Sequence, residues 1–152
     1  MCKVEGGRSR VEYELGSIQV TAELQDEDSE EIQSFSDVTS KYGFLRERPK
    51  EHFYAVFLKS DNEVIGDKLV SLGGASSASI DTKDVARTAV LTNASAVILV
   101  HNHPSTNDRP TDQDLKATKA IQDALDLFDV EVLDHVIISQ TGSYSMKQNG
   151  DI

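Results

Sequence analysis

The sequence predicts an α/β domain, a mixed β-sheet with flanking helices, carrying an extra N-terminal β-hairpin. Three observations predict it. Residues 51–60 (EHFYAVFLKS) and 63–72 (EVIGDKLVSL) are strand-like runs joined across Asp61 and Asn62, residues suited to a tight turn. Residues 96–100 (AVILV) form an unbroken apolar run, as expected of a central strand covered on both faces. Helical spacing alternates with these strands, over Asp81 to Asn93 and over Asp112 to Phe128.

Taken in order, Arg10 to Leu24 alternates polar and apolar side chains and turns at Gly16 and Ser17, a half-buried hairpin. The acidic run Glu23 to Glu31 reads as a solvated linker or helix start. Ser34 to Leu45 is weakly helical, with Phe35, Val38 and Tyr42 on one face and Pro49 as a stop. After the 51–72 hairpin, Gly73 and Gly74 break the ladder. Asp81 can cap a helix carrying Val85, Ala86, Ala89 and Val90. The helix from Asp112 is expected to bury Leu115, Thr118, Ile121, Leu125 and Phe128. Val130 to Ser139 and Tyr144 to Met146 close the sheet. These signals divide the chain into an extension over 1–33 and an α/β domain over 34–152.

With 152 residues, 38 % of them hydrophobic, the chain can bury the core of one domain. Its 26 acidic and 15 basic side chains give a net charge of −11, which repels a phosphate backbone and disfavours nucleic acid as a partner. Cys2 is the sole cysteine, so any metal must be held by histidine and carboxylate, and a reducing cytoplasmic setting is expected. No apolar run approaches the ~18 residues of a membrane span. Oligomeric state is not encoded in any of these features.

The chemistry gathers at 101–114, directly after the apolar strand, where α/β folds assemble their sites. His101 and His103 are two apart along an extended chain, so their rings share one side while Asn102 faces away. Asp114, in the first turn of the next helix, can fold back as a third ligand and leave a tetrahedral zinc one open position. Thr111 and Asp114 also have the spacing of a helix capping box, a structural role for the same carboxylate.

The run AVILVHNHPS, the P-T-x-x-D ending at Asp114 and VLDHVII beyond the helix resemble the RadC-like branch of the JAB/JAMM (MPN) metalloprotease superfamily, from about Ser34 to Ile152. The resemblance implies JAB/MPN-like, cytidine-deaminase-like layering and a Zn2+ site at His101, His103 and Asp114. It implies Glu51 as general base toward a metal-activated water, with Thr111 or Ser105 supporting the oxyanion, and a peptide or protein substrate that includes ubiquitin-like conjugates. Two positions depart from the motif: Thr111 stands where it has serine, and Thr106 where glycine is usual. Asp134 and His135 are expected toward the other end of the sheet, as a supporting contact or a core pair rather than ligands. His52 is expected at the surface.

Two readings compete with a zinc-dependent peptidase or isopeptidase. One is a JAB-fold interaction domain without catalysis, against which the complete His, His, Asp and Glu set argues. The other is a DNA-repair-associated factor, weakened by the net charge and by the lack of a helix-hairpin-helix module in these residues.

Overall fold

The computed structural model describes residues 2–5, 8–15, 18–25, 30–73 and 80–152, the first three segments as backbone only. Strands β1 (Cys2–Glu5), β2 (Arg8–Leu15) and β3 (Ile18–Gln25) form an antiparallel sheet in that order. The β2–β3 pairing runs from Arg8 opposite Gln25 to Leu15 opposite Ile18, which is the expected hairpin with a third strand added. Its turn at Gly16 and Ser17 lies outside the described residues, as does Gly74.

Residues 30–32 run alongside the second hairpin: Val64 N–H donates to the Glu30 carbonyl at 2.7 Å and Ile32 N–H to the Asn62 carbonyl at 3.1 Å. Ile32 is buried in the core. Helix α1 (Phe35–Lys41) starts at Ser34, which closes a capping box with Asp37. The weakly helical stretch to Leu45 is not one helix. After Lys41 the chain tightens into a 3-10 turn, Gly43–Glu47, which carries Leu45 into full burial.

The main sheet is β4 (His52–Leu58), β5 (Val64–Leu72), β6 (Ala96–Asn102), β7 (Glu131–Ile138) and β8 (Ser143–Ser145), in the order β5-β4-β6-β7-β8. Only β6 and β7 are parallel, and a helix crosses over between them, as a parallel connection requires. The hairpin turn works as its sequence predicts, with Asn62 in the left-handed region at φ 67°. Asp81 accepts the Asp84 N–H at 3.1 Å and so caps α2 (Thr82–Leu91).

Strand alternation decides what each face carries. Phe53, Ala55 and Phe57 of β4 and Val97 and Leu99 of β6 pack on one side with Val85 and Ala89 of α2 and Ile121 and Leu125 of α3 (Asp112–Asp126). Val56, Leu58, Ile98 and Val100 face the other side, with Val38, Tyr42 and Leu45. Each fully buried side chain of this size contributes roughly 1.5–3 kcal/mol. His101 continues the face that meets α3, and Asn102 the opposite one.

Helix α3 is rotated from its expected setting. Asp114, Ala117, Thr118, Ile121 and Leu125 are its buried residues, whereas Leu115 is 36 % and Phe128 54 % exposed. Bringing Asp114 inward turns Leu115 outward, and the helix ends before Phe128, with Asp129 in the left-handed region at φ 55°. Met146, expected in the last strand, instead begins a short helix, α4 (Met146–Asn149), capped by Ser145 and stopped at Gly150 with φ 78°. Among the described residues no helix is long and apolar enough to cross a membrane.

Candidate metal centre

Strand β6 runs two residues beyond its apolar stretch, through His101 and Asn102, and both are buried. His103 follows at the strand end, its N–H donating to the Ile138 carbonyl at 3.0 Å so that the backbone stays extended past β6. The two imidazoles then meet: His101 Nε2 lies 2.9 Å from His103 Nε2. Asp114 reaches them from α3, with Oδ1 3.2 Å from His101 Nε2 and Oδ2 3.3 Å from His103 Nε2. The three side chains are 1 %, 10 % and 7 % exposed, so the cluster is nearly dry.

Asp114 keeps both roles its position suggested. Its Oδ2 accepts the Thr111 N–H at 2.7 Å and the Thr111 hydroxyl at 2.8 Å, closing the capping box of α3. Burial alone pushes the Asp114 carboxyl up, but the interactions with His101 and His103 outweigh it and hold the group well below the usual carboxylate range. His103 is raised, first by its partnership with Asp114 and against the effect of burial. The Asp114 carboxylate is therefore held in its charged form.

The donor set fits a metal ion, and His101, His103 and Asp114 can hold one. His103 Nδ1 lies 3.0 Å from the Asn107 carbonyl, an acceptor only, so Nδ1 bears a proton and Nε2 is left for the centre. His101 Nδ1 is likewise engaged, 2.7 Å from His135 Nε2. Ligand atoms bound at about 2.0–2.1 Å in a tetrahedron stand roughly 3.3 Å apart, close to the 2.9–3.3 Å separations found here. Nitrogen and carboxylate donors without thiolate suit zinc among several divalent ions.

Glu51 sits just before β4, half-buried. Phe53 pairs with His101 in antiparallel register, so Glu51 lies level with His103, and its charge adds to the upward shift of His103. Asn102, on the far face of β6, holds this segment. Its Oδ1 accepts the His52 N–H at 2.7 Å and its Nδ2 donates to the Lys50 carbonyl at 3.1 Å, one bond on each side of Glu51. His52 is half-buried and stacks on Tyr54. Ser105 is exposed in the loop after His103, where its Oγ accepts the Asn107 N–H at 3.3 Å. Thr111 Oγ1 is occupied with Asp114.

His135 is not toward the other end of the sheet. The parallel register sets His135, on β7, opposite Leu99 of β6, beside His101 and fully buried. Burial, reinforced by the nearby His101, lowers it well below the ordinary histidine value and keeps it neutral. Asp134 points elsewhere, accepting the Ser145 hydroxyl at 2.5 Å and the Lys147 N–H at 3.0 Å. The polar pair interrupting VLDHVII was the signal in the sequence that this strand does more than pack.

Residues 32–151 match the RadC-like JAB domain family. A UPF0758 protein of Salinibacter ruber is 36 % identical over 141 residues, covering 92 % of this chain and 60 % of that protein. One from Pelodictyon phaeoclathratiforme is 33 % identical over 80 % of the chain and 55 % of its own length, and one from Chromohalobacter salexigens 41 % identical over 70 % and 47 %. The chain spans about half the length of the curated relatives it matches.

Proposed function

We propose, on the premise that this chain belongs to the RadC-like JAB domain family, that it is a zinc-dependent hydrolase of peptide or isopeptide bonds. The JAB family includes metallohydrolases, and the observation that carries the reading is the convergence of His101 Nε2, His103 Nε2 and the Asp114 carboxylate in a buried cluster with Glu51 level with it. Zinc held by these three residues supplies Lewis acidity and brings the deprotonation of water to about neutral pH.

The protein's own residues divide the remaining work. Glu51 accepts the proton of the attacking water and returns it to the departing amine. Asn102 holds the backbone that presents Glu51. Thr111 fixes the Asp114 carboxylate through its hydroxyl and N–H. Ser105, exposed two residues past His103, offers a hydroxyl to the oxyanion that develops on the substrate carbonyl. The substrate class is a protein or peptide, including conjugates of ubiquitin-like modifiers.

The test begins with zinc content after desalting, by elemental analysis, of the wild type, His103→Ala and Asp114→Ala. One zinc per wild-type chain and loss in both variants is expected; equal substoichiometric metal in all three overturns the centre. Glu51→Gln should keep its zinc and lose cleavage of fluorogenic peptide and isopeptide substrates. Unchanged turnover removes Glu51 from the reaction.

A further inference from the structure

The metal reading leaves two buried polar side chains next to His101 and Asp114 without a role. His135 and Thr118 are each fully buried, and neither is a ligand. They form a continuous chain of short bonds: Thr118 Oγ1 lies 2.7 Å from the Asp114 carbonyl and 2.6 Å from His135 Nδ1, and His135 Nε2 lies 2.7 Å from His101 Nδ1.

One assignment of protons satisfies every bond and leaves His101 Nε2 bare for a metal ion. In it the single proton of the Thr118 hydroxyl goes to the Asp114 carbonyl, which only accepts. The hydroxyl oxygen can then only accept from His135, whose Nδ1 must carry the ring proton. His135 Nε2 is left as a lone pair, so His101 must donate to it from Nδ1. His101 Nε2 is thereby bare, and it is the atom that faces Asp114 and His103.

We propose that Thr118 and His135 are positioning residues that set the tautomer and ring orientation of His101, so that its Nε2 is delivered to a metal ion. The circuit begins on the backbone of Asp114 and returns through His101 to the Asp114 carboxylate, so α3 orients a ligand on β6 as well as supplying its own. Phe53 restrains the same rings, stacked on His101 with centroids 5.6 Å apart and edge-on to His135 at 5.3 Å. Ligating histidines are commonly fixed by a carboxylate or carbonyl; here a neutral histidine and a threonine hydroxyl take that place. The inference rests on the metal centre proposed above.

The test uses the full chain and Zn2+ alone. Zinc affinity is measured by competition with a chromophoric chelator for the wild type, Thr118→Val and Thr118→Ser, and the protonated ring nitrogens are assigned from long-range proton–nitrogen NMR spectra. The valine variant keeps the volume and removes the hydroxyl. It should bind zinc about tenfold or more weakly, within the span usual for loss of such a partner, and show mixed His135 tautomers. The serine variant should restore both. Zinc binding by the valine variant equal to that of the wild type, with unchanged tautomers, overturns the relay alone. No zinc binding by the wild type overturns the metal centre and the relay with it. If the valine variant does not fold, the zinc-loaded wild type decides: a proton on His101 Nδ1 and on His135 Nδ1 supports the relay, and coordination through His101 Nδ1 overturns it.

Discussion

Asn102 Oδ1 accepts the backbone N–H of His52 at 2.7 Å, and by this bond the residue between the two histidines of the candidate centre reaches across to the strand that follows Glu51. Its Nδ2 donates on the other side of Glu51, to Lys50 at 3.1 Å. Asn102→Ala removes the acceptor of the half-buried His52 N–H and should cost about 1 kcal/mol, measured by urea denaturation. Zinc content should persist, because the ligands lie on the opposite face, while hydrolysis falls with the loss of Glu51 placement. Loss of zinc in step with activity would assign Asn102 to the ligand cluster instead.

Thr111 tests whether a hydroxyl at the motif's serine position acts through Asp114. Thr111→Ala should destabilise α3 by about 1 kcal/mol and weaken zinc binding, while turnover at saturating zinc stays near the wild-type value. Thr111→Ser should recover stability and affinity together. A fall in turnover under saturating zinc would place the Thr111 hydroxyl on the substrate side.

Acid stability should carry a signature of Asp84, which ties α2 to the edge strand β5 by an ion pair with Lys68 at 2.7 Å and is also paired with Arg87. The Lys68 bond is the first cause that holds the Asp84 carboxyl below its ordinary 3.8. A carboxyl depressed by folding stabilises the native state above its unfolded value, and that contribution disappears as pH falls through the folded value. The stability gap between wild type and Asp84→Asn should be full near neutral pH, shrink below about pH 4, and close at still lower pH. Denaturation midpoints across that range check it; a gap independent of pH contradicts the ion pair.

Arg46 joins the 3-10 turn to the loop between β7 and β8. Its Nη1 donates to the carbonyls of Ser139 at 2.8 Å and Gly142 at 2.6 Å, and Nη2 to Ser143 Oγ at 2.7 Å. Lysine is a point charge and cannot reproduce a planar fork. Arg46→Lys should lower stability by about 1–3 kcal/mol, read from urea midpoints, without altering zinc stoichiometry.

Much of this was legible in the residues for identifiable reasons. AVILV reads as a buried strand because burial on both faces leaves no polar alternation, and His101, His103 and Asp114 stand out because spacing and residue type coincide. Three features were not legible. Counting apolar residues sets Leu115 on the inner face of α3, but the site rotates the helix to admit Asp114, a polar residue that no hydrophobic period weighs. The 3-10 turn after Lys41 depends on Leu45 finding the core. The place of His135 depends on the register between two parallel strands some 30 residues apart, set by the crossover and the irregularity at Val97 and Ile98. Local patterns carry no such information.

The capping box at the start of α3 gives the carboxylate ligand an anchor that does not involve any ion. A chelator that strips an ion from the proposed centre would therefore remove a guest and not a cornerstone: helix α3 would keep its first turn, with Asp114 aimed at the two imidazoles. Rebinding of an ion to the proposed centre would then need little rearrangement, so loss and uptake of metal are expected to occur in the folded protein, unlike the small zinc domains whose folding waits on the ion.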